Sequence, residues 1–405
     1  MLFVFAWRNI WRNKRRTLIT AASVFTAVIL ALMMRSLQLG AYQRMIDNVV
    51  SFYTGHIQVH AEGYGDEKTL EYTFVPNDSI IDVIKGNESI RAWVPRLESF
   101  ALVSAEDLTQ GSLVVGISPK AEDGLTNLAG KIVDGAYLTE DDDGVLLSEG
   151  LAIKLQVGSG DTIVLLGQGY HGATAAGKYP IRGVAHFSAP SLNNGMVYLT
   201  IPQAQYLYST GDRLTSIAMR IAPKADATEV ANSLRRETKG MPFEFFDWKE
   251  MLPEMVELIE VDNAGGVIVI SILYMIIAFG IFGTILMMLA ERQHEFGILV
   301  AVGMKRIKLA TVVLLEILMI AFLGTLAGII IGIPIIAYFH GNPIRVTGDM
   351  AKAYESFGME PVFPFSNDIG LFLTQASIVF LMSLILSVFP WFRILRLKAI
   401  QALKN

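Results

Sequence analysis

GGVIVISILYMIIAFGIFGTILMMLAERQHEFGILVAVGMKRIK, residues Gly265–Lys308, is the stretch on which the reading of this chain turns. Its first part, Gly265 to Ala290, is an uninterrupted apolar run. It is long enough to cross a bilayer, since about 20 apolar residues span about 30 Å of hydrocarbon. Glu291, Arg292, His294 and Glu295 then end the run with four ionisable side chains. A short amphipathic segment, Phe296 to Gly303, follows, with glycines at Gly297 and Gly303. Lys305, Arg306 and Lys308 close it before apolar sequence resumes at Leu309. A charged turn this short between two spans has to sit at a membrane surface, and its lysines and arginines favour the cytoplasmic one. The expected element is a docking helix on which something soluble pushes.

Outward from this turn, hydrophobic residues make up 52% of the chain and charged ones 18%, well away from soluble averages. The excess falls in four blocks, roughly Thr17–Met34, Gly265–Ala290, Val312–Tyr338 and Ile369–Phe389, as in a polytopic membrane protein. The expected fold class is membrane α-helical, with four transmembrane helices and a large α+β extracytoplasmic domain inserted between the first and second. The expected order starts with an amphipathic helix over 1–16, a first span over 17–38 and the external domain with its stalk helices over 39–264. A second span (265–290), the coupling turn (291–308) and a third span (309–338) follow. An external loop (339–368), a fourth span (369–389) and a tail (390–405) complete the chain.

Charge orients these pieces. The segments assigned to the cytoplasm hold about 13 lysines and arginines against about 2 acids, whereas Gly40–Ala264 holds about 17 against about 31. Both termini are therefore expected in the cytoplasm, in a multi-pass inner membrane protein whose large domain is periplasmic or extracellular. Nucleic acid is not an expected partner, because the basic residues border spans and form no folded basic face. Absence of cysteine removes disulfides, CxxC redox chemistry and thiolate metal sites.

MLFVFAWRNIWRNKRR sets Phe5, Trp7, Ile10 and Trp11 beside a basic face, the pattern of a helix lying among headgroups. A cleaved signal peptide is the competing reading. Against it, the apolar stretch is too long and no small-x-small cleavage site follows. The helical period continues past Met34 through Tyr42, Ile46 and Val50, which predicts a stalk. Trp248–Val261 predicts a second stalk helix packed on the first. Between them, strands are expected at Gly55–Ala61, Arg91–Ala105, Gly111–Ile117, Val145–Leu147, Asp161–Leu166, Tyr179–Ala185, Met196–Leu199 and Thr215–Ile221. Helices are expected after Asn77 or Asp78, over Ser148–Leu155 and Pro202–Leu207, and over Ala227–Thr238 behind the cap Asp226. The glycine-rich middle, about 135–212, is expected as a small inserted subdomain.

Three apparent catalytic or ligand motifs fail on their chemistry. Gly172–Lys178 (GATAAGK) fits seven positions of a phosphate-binding loop, but Tyr179 replaces the hydroxyl that would hold magnesium. Pro180 then blocks the helix whose N-terminus should face the phosphate. A glycine-rich hairpin is the better reading. Asp141-Asp142-Asp143-Gly144 lacks both end ligands of a calcium loop. His56 and His60, on one strand face with Gln58, lack further zinc ligands. No nucleophile-elbow motif is present, so a catalytic role is not expected.

With ERQHEFGILVAVGMKRI, AWRNIWRNKRRTLIT, LLSEGLAIKLQVGSGDTI and FPWFRILRLKAIQALKN in view, the chain resembles the MacB/LolC–LolE/FtsX-like family of ABC transporter permeases. One departure is Ala399-Ile400, where the family's tail usually has proline. The external domain is too large for the cell-division type, and the long loop before the last span and the FPWFRILRLKAIQAL ending look more like a lipoprotein-releasing permease than the macrolide type. The resemblance implies a mechanotransmission subunit with no cofactor of its own, ATP and magnesium being held by a separate ABC ATP-binding (LolD-like) partner. It also implies a homodimer or a homologous sister permease, a lipoprotein or other envelope cargo, and contact with membrane lipids. Efflux with a periplasmic adaptor and an FtsX-like signalling scaffold are the alternatives.

On this reading Glu291, Arg292, His294 and Glu295 orient the coupling turn. Ile298, Leu299 and Val302, with Met304 beside them, seat in an apolar cleft of the ATPase, and Gly297 and Gly303 permit close approach. Glu316 lies about two turns beyond Lys308, inside the third span, where a charge is costly and marks function. Family members often carry glutamate here, and structural coupling is preferred to a proton relay. Gly324, Gly328 and Gly332 recur every fourth residue on one face, which lets another helix approach closely and motivates a dimer.

Overall fold

The computed structural model describes residues 2–12, 14–65, 67–223, 225–356 and 361–396. The tail positions Lys398, Ala399, Ile400 and Lys404 lie outside the described residues. The chain divides into two compact units, one of Met1–Gln43, Ile259–Arg345 and Val362–Asn405, the other of Arg44–Leu258 and Val346–Pro361.

Among the described residues, four helices are long and apolar enough to cross a membrane: Thr17–Val49, Pro253–Glu291, Arg306–Gly341 and Ile369–Leu395. Each turns a narrow stripe inward, such as Ile277, Ile281 and Ile285 on the second, four residues apart and therefore on one helical face. Val24, Val28 and Leu32 from the first, Val313 and Ile317 from the third and Phe372 and Val379 from the fourth complete that interior. Most of the remaining apolar surface stays exposed, as lipid as solvent allows. An amphipathic helix, Leu2–Arg12, precedes the first span and buries Ala6 and Ile10. The Thr17 hydroxyl donates to the Ile10 carbonyl at 2.8 Å and ties the two helices together.

The first and second spans are braced beyond their apolar cores. Arg35 Nη1 donates to Asn263 Oδ1 at 3.1 Å and the Tyr42 hydroxyl to Asp262 Oδ2 at 2.6 Å. The expected stalk over Trp248–Val261 is not one helix. Trp248–Met251 forms a turn capped by Asp247, and a new helix starts at Pro253 and runs unbroken to Glu291. Proline forces its predecessor out of the helical region, and Leu252 takes φ −126° and ψ 57°. The loop before the fourth span pairs Ile344–Arg345 with Val362–Phe363, and Ser366 exchanges two hydrogen bonds with Ser36 at 2.7 and 2.9 Å.

The other unit is built on one mixed sheet of ten strands: β1 Ile57–Ala61, β2 Ile90–Ala105, β3 Leu108–Ile117, β4 Ile132–Gly135, β5 Val145–Ser148, β6 Thr162–Gln168, β7 Thr174–Ala185, β8 Met196–Thr200, β9 Ser216–Ile221 and β10 Phe243–Asp247. The order is β10-β1-β9-β2-β3-β8-β5-β7-β4, with β6 pairing both β2 and β7. Segment 135–212 adds β5, β6, β7 and β8 to that same sheet. The cause is the length of β2. Its first part pairs β9 through Ile90–Arg96, its last part pairs β6 through Ala101–Ser104, and β3 follows its other edge. Asn77 and Asp226 cap the helices Asp78–Gly86 and Ala227–Glu237, accepting from Ile80 N and from Thr228 N and Glu229 N.

Gly172–Lys178 lies in the β6–β7 hairpin, where Lys178 pairs with Val164, and the strand carries on to Ala185. The Asp141–Gly144 turn is held by Arg182, whose Nε and Nη2 lie 2.6 Å from Asp142 and 2.7 Å from Asp143. His60 packs between the Thr215 carbonyl and the Gln58 side chain, at 2.8 and 2.9 Å.

Candidate functional site

The turn between the second and third spans is folded into two faces. Its helix, Gln293–Ala301, buries Phe296 and Gly297, while Val300 and Met304 pack against the interior of the four spans. Ile298, Leu299 and Val302 are 45%, 39% and 84% exposed and lie outside the buried cluster of the four spans. Glu291, His294, Lys305, Arg306 and Lys308 are exposed around them. The helix stops at Gly303, which has φ +106°, a conformation that a Cβ disfavours. Gly303 N donates to Val300 O at 3.1 Å and Met304 N to Leu299 O at 3.0 Å, the paired bonds of a Schellman stop. Gly303 therefore has a structural reason in the turn's own backbone, beyond any close approach of a partner.

Beneath this turn lies a chain of polar contacts. Arg292 immediately precedes the helix and its side chain is 4% exposed. Its guanidinium donates from Nη1 to Glu316 Oε2 and from Nε to Glu295 Oε2 at 3.2 Å, and lies over the Phe296 ring at 5.0 Å. Glu316, 1% exposed, accepts on its other oxygen from Asn9 Nδ2 at 2.6 Å. Glu295 also accepts from Arg12 Nη2 at 3.1 Å. The N-terminal amphipathic helix, the turn helix and the third span are thus joined by four hydrogen bonds around one buried carboxylate. An unpaired charge in this interior would cost several kcal/mol, which the pairing offsets. The exposed Arg12–Glu295 pair contributes about 0–1 kcal/mol.

Of the residues singled out from sequence, Arg292, Glu295 and Glu316 meet here, whereas Glu291 and His294 do not. Asn9 and Arg12 were not anticipated. Their three-residue spacing, which places both on one side of a short helix, was the available signal. Gly324, Gly328 and Gly332 are brought against the chain's own first span. A Cβ on Gly324 would stand 2.7 Å from the Ala21 carbonyl oxygen, on Gly328 2.7 Å from Val28 Cβ, and on Gly332 2.9 Å from Leu32 Cδ1. The face that motivated a dimer is filled within one chain and carries no argument for a second copy.

A second buried ion pair lies in the sheet unit, and sequence reading missed it. Arg96 on β2 is fully buried and bidentate to Glu122, at 3.0 and 2.6 Å. Its remaining nitrogen donates to the Tyr53 carbonyl at 2.5 Å, with the Tyr53 ring 4.8 Å away. Tyr53 belongs to a π-helical turn, Val50–Thr54, that follows the helix ending at Val49. Such turns are rare, and this one presents its carbonyl to a buried cation. Burial raises the Glu98 carboxyl above its ordinary range, opposed by Arg96.

Four spans, a large domain between the first two and a two-faced turn between the middle pair define a multi-pass membrane protein with an extracytoplasmic domain. Residues 17–237 match the MacB-like periplasmic core domain and residues 267–399 the FtsX-like permease C-terminal domain. The chain belongs to the MacB/LolC–LolE/FtsX-like family of ABC transporter permeases. The lipoprotein-releasing system transmembrane protein LolC of Xylella fastidiosa is 24% identical over 325 residues, 76% of each chain. The macrolide export ATP-binding/permease protein MacB of Agrobacterium fabrum is 21% identical over 342 residues, 82% of this chain and 52% of that one. The crystal structure of the periplasmic region of MacB from Actinobacillus actinomycetemcomitans aligns over 98% of its length and 53% of this chain, at 18% identity and a TM-score of 0.37.

Proposed function

We propose that this chain is the permease subunit of a lipoprotein-releasing ABC transporter and acts as a mechanical transmission. A separate LolD-like subunit holds ATP and magnesium at the cytoplasmic face, where both termini and the turn at 291–308 lie. Its closure presses on Ile298, Leu299 and Val302. The bonds of Arg292 to Glu316, and of Glu316 to Asn9, pass that displacement into the third span and the N-terminal helix without loss in a soft apolar contact. The extracytoplasmic domain then releases its cargo, with a second copy or a sister permease completing the assembly. The observation that carries this reading is an exposed apolar face directly above a buried polar tie.

The likeness to LolC favours lipoprotein as cargo. The likeness to MacB supports a second reading, efflux with a periplasmic adaptor. Co-purification of a lipoprotein with the detergent-solubilised complex supports the first, and co-purification of an adaptor protein supports the second. Transmission itself is tested by Leu299→Asp with Val302→Asp, which should abolish cargo release while leaving the protein folded and the partner's ATP hydrolysis in place. Normal release by that double variant would refute the assignment.

A further inference from the structure

A slot of about 420 Å³ opens between the N-terminal amphipathic helix, the first span and the third span. Trp11 and Lys14 line it at one end and Phe25 and Ile331 at the other. Between them lie Ala21, Ala22 and Ala327, which carry only a methyl group and so leave the space unfilled. Lys14 to Phe25 is three helical turns, about 16 Å along the axis. An extended hydrocarbon chain matches this length and the apolar lining.

The charge at one end selects among hydrocarbon chains. The Thr17 hydroxyl is committed to the Ile10 carbonyl, and Arg12 to Glu295. Lys14 makes no hydrogen bond or ion pair among the described residues, and it is exposed. The Trp11 ring, 53% exposed beside Trp7, sits next to it, the amphipathic side chain favoured at headgroup level. A cation and an indole at one end of an apolar channel complement an anionic headgroup followed by an acyl tail. We propose that this slot binds an anionic glycerophospholipid, its acyl chain lying along Ala21, Ala22 and Ala327 and its phosphate at Lys14.

The test uses the full chain in detergent, titrated with phosphatidylglycerol and phosphatidylcholine of matched acyl chains and followed by native mass spectrometry. A lysine at the membrane surface contributes about 1 kcal/mol toward an anionic lipid, so phosphatidylglycerol should be retained about fivefold better. Lys14→Gln should remove that preference, and Ala327→Phe should weaken retention of both lipids. A phosphatidylglycerol with a diazirine in its acyl chain should label peptides spanning 21–25 and 323–331, a readout that needs no variant to fold. Labelling spread evenly over the four spans, or a preference that survives Lys14→Gln, would overturn the proposal. So would a copy-to-copy disulfide through Ala22→Cys, forming equally with and without lipid in a chain with no other cysteine.

Discussion

Arg292, at the start of the turn helix, and Glu316, inside the third span, share a hydrogen bond at a place where both side chains are almost fully removed from solvent. Neither is expected there alone. A buried charge deprived of its partner costs about 3–5 kcal/mol, whereas replacing the whole pair by apolar groups is close to neutral. Glu316→Leu and Arg292→Met should each lower stability by about 3–5 kcal/mol, and the double variant should recover most of that. Thermal unfolding of the detergent-solubilised protein measures the cycle. Additive losses would mean that the two residues do not depend on each other.

The glycines of the third span differ in what a methyl group would strike. At Gly324 it meets the Ala21 carbonyl oxygen, part of a helical backbone that cannot turn aside. At Gly332 it meets the end of the Leu32 side chain, which can change rotamer. Gly324→Ala should therefore cost about 1–3 kcal/mol, and Gly332→Ala clearly less. Equal losses, or the reverse order, would place the first span elsewhere.

Gly303 offers a test of the turn without touching its exposed face. With φ at +106°, any side chain there is strained by about 1–3 kcal/mol. Gly303→Val should loosen the stop after Ala301 and speed amide exchange at Gly303 and Met304, whose N–H groups close the Schellman bonds. Unchanged exchange at both amides would show that the stop does not depend on glycine.

In the sheet unit, Glu98 carries a pH signature. Burial, opposed by Arg96, holds its carboxyl above the ordinary value of 4.5. The folded protein thus binds this proton more tightly than the unfolded chain. The resulting stabilisation is fully present below pH 4.5 and is lost as pH rises through the higher folded value. Glu98→Gln should leave stability near the wild type at acid pH and exceed it near pH 7. Denaturation of both proteins across that range, compared as a difference, reads the effect. A gap that stays constant with pH would remove Glu98 as its source.

Much of this architecture was legible along the chain. Runs such as Gly265–Ala290 announce their environment, and the four ionisable residues from Glu291 to Glu295 mark where it ends. Caps were equally plain, because Asn77 and Asp226 act on amides two or three residues away. The break at Leu252 could have been read from Pro253 and was not. The role of β2 was hidden for another reason: nothing local in sixteen alternating residues says that one strand will pair with three neighbours.

By itself, the sequence determined the number of spans, the turn between the middle two and the strand-rich region between the first two. Bilayer thickness and backbone hydrogen bonding act over neighbouring residues, so composition and period suffice. Only the tertiary structure decided that Asn9 reaches Glu316 across 307 positions, that Gly324 lies on Ala21, and that Arg96 closes on Glu122 and Tyr53. Pairing among buried polar groups depends on which elements meet and at what distance. No single stretch carries that information, because the desolvation cost that enforces it arises only once the elements have packed.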